Sequence, residues 1–188
     1  MTQRKDVIPD YLYSLDLLRV VGAISIVLWH WQHFFFVGTK PGPIDVGKLP
    51  LFDWAFFYYS QAGRAAYLFF TLSGFVFYWR YSKRVAEGAV TLEKFSLLRF
   101  SRLYPLHFAT LLIVVVGQLW FTSSQGNSFV YPYNDGRHFF LNLLLAPSWG
   151  LERGYSFNAP IWTVSVEVLL YALFFSAAGS YRFAHRYW

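Results

Sequence analysis

The sequence predicts an all-α fold, a polytopic membrane bundle of four to five crossing helices, and three observations carry that prediction. The first is composition: 56% of the 188 residues are apolar, 23% aromatic and only 14% charged. Soluble domains average about 25% charged residues, and one of this size buries too little volume to hide so many large side chains. Disorder is excluded as well, because disordered chains are poor in aromatics. The second observation is the length of the apolar runs, close to the ~20 residues a helix needs to cross the hydrocarbon layer. The third is the placement of charge, which gathers at the ends of those runs.

Val20 to Val37 forms the first run, preceded by a polar start with Arg4, Lys5, Asp10, Asp16 and Arg19. Small-x-small cleavage chemistry does not follow it, only Gly38-Thr39-Lys40-Pro41-Gly42-Pro43, so the run reads as a crossing helix and not as a signal peptide. Leu51 to Trp79 is interrupted by Asp53, Gln61 and Arg64, and reads as an interfacial stretch followed by a crossing from about Gly63 to Trp79. Leu103 to Phe121 is the cleanest span. His138 to Pro147 is short for a crossing and reads as a half-helix or a tilted segment. Ala159 to Ala178 is long enough, with Pro160 where a first helical turn tolerates it.

The net charge of +6 is explained by topology. Arg80, Lys83, Arg84, Lys94, Arg99 and Arg102 stand between the second and third spans against only Glu87 and Glu93. The positive-inside rule makes that segment and the N-terminus cytoplasmic. Arg182 and Arg186 fall inside or outside according to whether the short fourth segment crosses, which the sequence leaves open. A nucleic-acid partner is therefore not expected. The absence of cysteine excludes disulfides, thiolate zinc sites and cysteine nucleophiles.

Ionisable residues inside a crossing helix cost about 2.5–3.5 kcal/mol on insertion scales, so each asks for a reason. Arg19 and His30 are 11 positions apart. That spacing is about 1100° of helical rotation, leaving ~20° between their faces and about 16 Å along the axis. Asp16 is placed to pair with Arg19 one turn away. One stripe thus carries a charged pair near the cytoplasmic surface and an imidazole near mid-membrane. His30 is read as a general base or as an interior histidine bonded to a neighbouring helix. His33 is one turn on, but carboxylate partners at ligand spacing are missing, so no metal is expected. His33 and His107 read as interfacial residues at the outer and inner surfaces. Glu167 is the one carboxylate inside a crossing segment, either tied to an arginine or functional. Arg99 and Arg102 share a helix face, as a topology signal with headgroup contacts or as a fork for phosphates. Ser73-Gly74 reads as a close-packing element between helices.

Four stretches, in order along the chain, resemble the signatures of the membrane acyltransferase type 3 family. Leu15-Asp16-Leu17-Leu18-Arg19, with ten residues before His30, resembles its Arg-x10-His signature. Leu68-Phe69-Phe70-Thr71-Leu72-Ser73-Gly74-Phe75 is similar to its Phe-Phe-x-Leu-Ser-Gly-Phe segment. Arg99-Phe100-Ser101-Arg102-Leu103-Tyr104-Pro105 resembles its Arg-x-x-Arg-x-Tyr-Pro stretch. Asn158-Ala159-Pro160-Ile161-Trp162-Thr163-Val164-Ser165-Val166-Glu167 is similar to its Pro-x-Trp-x-x-Ser-x-Glu motif. Tyr67 and Val168 depart from acidic residues common in the family, at positions that vary within it.

The resemblance implies an acyl-CoA-dependent O-acyltransferase of the plasma (inner) membrane, acting on lipopolysaccharide, peptidoglycan, other glycans or a lipid-linked sugar. It favours acetyl-CoA as the donor substrate and implies no permanently bound cofactor. It assigns His30 and Glu167 as catalytic and Arg19, Arg99 and Arg102 as the binders of CoA phosphates. Asp16, Ser73, Trp162 and Ser165 would shape the site. It also implies about ten crossing helices, so residues 1–188 read as the N-terminal half of that domain. Two other classes stay open at this stage, a non-catalytic membrane protein of the same family and a small transporter or channel subunit.

Overall fold

The computed structural model describes residues 12–184, with side chains through residue 177. Arg4, Lys5, Asp10 and Arg186, which enter the sequence argument, lie outside the described residues, as does the side chain of Arg182. Five α-helices dominate: α1 Tyr13–His30, α2 Phe52–Ala86, α3 Leu92–Gln125, α4 Gly136–Leu143 and α5 Trp162–Ala184. A two-residue antiparallel pair, β1 Phe36–Val37 and β2 Lys40–Pro41, is the only sheet among the described residues. An all-α membrane fold is what the composition predicts and what the chain adopts. Tyr13–Phe35, Leu92–Gln125 and Ala159–Ala177 are each long and apolar enough to cross a membrane.

The span count is sharper than the sequence expectation. The 35 residues of α2 reach about 52 Å, ample for a crossing, although Asp53, Gln61 and Arg64 dilute its apolar character. The eight residues of α4 cover about 12 Å, far short of the ~30 Å hydrocarbon layer. A fifth crossing at His138–Pro147 is therefore ruled out, and this segment is a half-helix. The basic stretch is mostly helical. Only residues 87–91 separate α2 from α3, and Thr91 caps α3 by accepting from the backbone N–H of Lys94. Lys94, Arg99 and Arg102 thus ride on the helix itself, which continues through Pro105.

The chain divides into two compact units, one of residues up to Gln32 with Asp45–Gly74, the other of His33–Ile44 with residues from Phe75 on. In the first unit α1 meets α2 through small residues. A Cβ at Gly22 would stand 3.1 Å from a ring carbon of Phe69, so glycine there permits the close approach that lipid-facing helices rely on. Ser25 is buried beside it and returns its hydroxyl to the Val21 carbonyl. Gly74 has open space around it, so the packing role expected of Ser73-Gly74 belongs to Gly22 instead.

In the second unit α3 and α5 run antiparallel, Thr110 meeting Asn158 at one level and Phe95 meeting Phe175 at another. Their core is an aromatic cluster in which Phe77 and Phe95 pack with Tyr81, Tyr171, Phe174 and Phe175. The segment between α3 and α5 folds back along α3. Gln118 brackets Phe129, donating to its carbonyl at 2.8 Å and accepting from its N–H at 3.0 Å. His107 Nε2 bonds the Asn142 carbonyl at 2.9 Å, and the Tyr104 hydroxyl donates to the Leu143 carbonyl at 3.0 Å. From Gln118 to Tyr104 is about 21 Å of helix. Irregular backbone beside a crossing helix needs internal partners for its polar groups, and these three side chains supply them.

Candidate functional site

The α1 stripe lies in the first unit. Arg19 Nη1 donates to Asp16 Oδ1 at 2.8 Å, the pair that the three-residue spacing predicts. Both side chains remain more than a third exposed, so the pair orients Arg19 more than it stabilises the fold. His30 is half-buried, and its ring meets Trp29 edge to face at 4.9 Å. It is the last residue of α1, before the chain tightens into a 3-10 turn at Trp31–Phe35. The imidazole therefore stands toward the C-terminal end of the Tyr13–Phe35 span. His33 belongs to the other unit, where its ring contacts Phe36 and Tyr131.

In the second unit, Arg99 and Glu167 are joined through a residue the motifs do not include. The Arg99 guanidinium lies over the Phe95 and Tyr171 rings, 5.2 and 5.6 Å from their centroids. The Tyr171 hydroxyl donates to Glu167 Oε2 at 3.2 Å. Tyr171 so carries an arginine on its face and a carboxylate on its edge, one turn of α5 from Glu167. Glu167 makes no salt bridge with an arginine among the described residues; the phenol stands between the charges. Arg102 is exposed and has no ion pair or hydrogen bond among the described residues, which leaves its guanidinium available to an anion. Tyr171→Phe keeps the ring under Arg99 and removes only the donor. We expect it to lower stability by about 1 kcal/mol, and Tyr171→Leu by about 2 kcal/mol because the cation–π contact goes too. Thermal unfolding of the detergent-solubilised variants measures both.

Ser165 and Asn158 shape the loop that precedes α5. Ser165 is fully buried, its hydroxyl accepting from the Ser148 N–H at 3.1 Å while its carbonyl accepts from the Trp149 indole at 3.0 Å. Asn158 donates to Thr110 Oγ1 at 3.0 Å and reaches His107 Nδ1 at 3.4 Å. Trp162 begins α5 half-buried, and Ser73 is half-buried on α2 in the region where the units divide.

Three buried polar residues escape the motif reading. His107 is buried part-way along α3, where its Nε2 meets the Asn142 carbonyl. His138 is 1% exposed, with Nδ1 against Asp135 Oδ1 at 2.7 Å and Nε2 accepting from the Arg153 N–H at 3.1 Å. These contacts assign Nδ1 as the protonated nitrogen. Asn142 donates to the His138 carbonyl and to Ser156 Oγ, at 2.9 and 3.0 Å. The bonds from His138 hold the Asp135 carboxyl below its ordinary range, with Arg153 adding to the effect.

With this geometry in place, comparison with known proteins is decisive. The family model described as an acyltransferase domain, of type 3, matches residues 12–188. The chain belongs to this family. Among curated relatives, Acyltransferase MdmB of Streptomyces mycarofaciens is 37% identical over 169 residues, covering 87% of this chain and 38% of that protein. Protein 2 in the picA locus of Rhizobium radiobacter is 34% identical over 106 residues, covering 56% of this chain and 45% of that protein. The chain spans less than half the length of these relatives. No solved structure matches. Within this chain the four signature stretches fall on α1, α2, α3 and the start of α5.

Proposed function

We propose that this acyltransferase moves an acyl group from acyl-CoA to a hydroxyl of a sugar or glycan. The observation that carries the reading is the α1 stripe, an Asp16-oriented guanidinium leading along one face to His30. Such a stripe suits a donor whose anionic head stays at one end while its thioester reaches inward. His30 takes the proton from the attacking hydroxyl, the C–O ester bond forms, the C–S bond breaks and CoA leaves as the thiol. Arg99 and Arg102, one helical turn apart on α3, hold the CoA phosphates. Guanidinium groups suit that task, because they offer paired donors to phosphate oxygens. Glu167 orients the reacting groups through its place on α5, and Trp162 and Ser165 set the start of that helix. The arginine end of α3 faces the cytoplasm of a plasma (inner) membrane, the side that supplies acyl-CoA.

The purified chain in lipid nanodiscs, given labelled acetyl-CoA and a surface glycan, is expected to produce labelled glycan. No transfer would place the chain among non-catalytic members of the family. Arg99→Ala combined with Arg102→Ala is expected to weaken acyl-CoA binding about 10–100-fold without changing membrane insertion. Unchanged binding returns both arginines to a purely topological role.

A further inference from the structure

A groove of about 320 Å³ opens beside the last turns of α3, where that helix faces the start of α4. Leu119, Phe139 and Phe157 give it an apolar lining, and the two phenyl rings meet edge to face at 6.2 Å. Thr122, Ser128 and Asp135 give it a polar one. These polar groups are under-used by the fold. The Thr122 and Ser128 hydroxyls make no hydrogen bond among the described residues. Asp135 spends only Oδ1, on the ring and the N–H of His138, and its Oδ2 is unengaged.

The groove is also built at a conformational cost. Phe157 has φ +33°, a strained backbone that persists only where surroundings over-determine it. Asn134 supplies that constraint, accepting from the Phe157 N–H at 2.6 Å and donating to the Tyr131 carbonyl at 2.7 Å. The segment is thus tied to hold a phenyl wall in place.

We infer that this groove receives one neutral sugar ring of the acceptor, laid against Phe139 and Phe157 with its hydroxyls on Asp135, Thr122 and Ser128. The inference rests on the O-acyltransferase reading and adds the place where the acceptor docks. The volume lies at the lower end of small-molecule sites, about 300–1,000 Å³, which suits a single ring. Sugar C–H faces pack on phenyl rings, while sugar hydroxyls donate to a carboxylate in charge-assisted bonds. An anionic ligand meets the like charge of Asp135, and a lipid chain leaves three polar groups unpaired. Position agrees with the role. Thr122 follows Arg102 by 20 residues, about 30 Å of helix, which matches the hydrocarbon thickness of about 30 Å. Donor and acceptor then approach opposite ends of one crossing helix.

Saturation-transfer NMR on the full chain in nanodiscs tests this, with methyl α-D-glucopyranoside as the probe and glucuronate as the anionic control. Transfer is expected to the glucoside and not to glucuronate. Asp135→Asn keeps the α4 cap, since asparagine also caps, and is expected to weaken glucoside binding about tenfold. Thr122→Trp fills the groove and is expected to abolish it. If that variant fails to fold, Thr122→Val is expected to weaken binding about threefold by removing one hydroxyl bond. Absent glucoside transfer, transfer unchanged by Thr122→Trp or Thr122→Val, or saturation of lipid methylenes in its place overturns the inference. A chain that binds the glucoside here but transfers no acyl group fails only the O-acyltransferase reading. One that transfers with an unchanged acceptor KM in Thr122→Trp fails only the groove.

Discussion

His30→Ala is expected to lower acyl transfer to a glycan hydroxyl by about 10²–10⁴-fold, the range a positioned general base contributes. The chain should still insert and unfold normally, because the imidazole is half-buried at the very end of α1. Truncating a ring at a helix end leaves a smaller cavity than truncating one in a packed core. His30→Gln separates the two roles open to this histidine. Glutamine preserves a hydrogen bond to a neighbouring group but takes no proton at neutral pH, so a structural role predicts recovery of activity and a catalytic role does not. Transfer from labelled acetyl-CoA in membrane vesicles reads the difference. Undiminished transfer in His30→Ala would remove the histidine from the mechanism.

Phe95→Ala is expected to cost about 3–5 kcal/mol of stability, the usual range for truncating a buried phenylalanine. Phe95 is 2% exposed. Its ring lies 5.0–5.3 Å from those of Phe77, Tyr81, Tyr171 and Phe175, and aromatic pairs contribute beyond the area they bury. The same ring supports one side of the Arg99 guanidinium. The variant should therefore also weaken acyl-CoA binding through a residue that is not itself charged. Leu97→Ala, at 66% exposure, is the matched control and should shift the unfolding midpoint little. A Phe95→Ala midpoint equal to that of Leu97→Ala would mean the aromatic cluster does not organise this end of the protein.

What was legible in the residues was what depends on near neighbours. The Asp16–Arg19 pair follows from a spacing of one helical turn, and it forms as expected. The crossing helices follow from run length against bilayer thickness, and Pro160 stands at the start of the 3-10 turn leading into α5. Arg99 and Arg102, three positions apart, were expected to share a helix face, and both ride on α3, which begins at Leu92 because helical backbone satisfies its own polar groups whatever the side chains carry. Ser73-Gly74 was read as a packing element from residue size alone, but size permits an approach without supplying a partner. The partner stands opposite Gly22 instead.

By itself, then, the sequence determined the solvent, the helical class and the family of this chain, because hydropathy and short motifs are carried by residues close together in the chain. Only the tertiary structure decided the work of His107, Gln118, His138, Asn142 and Tyr171. His107 meets a carbonyl 35 residues away, and Asn158 reaches Thr110 across 48. No local spacing encodes such contacts. They arise because a segment too short to cross the membrane packs against α3 and must satisfy its backbone there. The same folding-back places Asp135 and Phe157 at one groove, 22 residues apart in sequence.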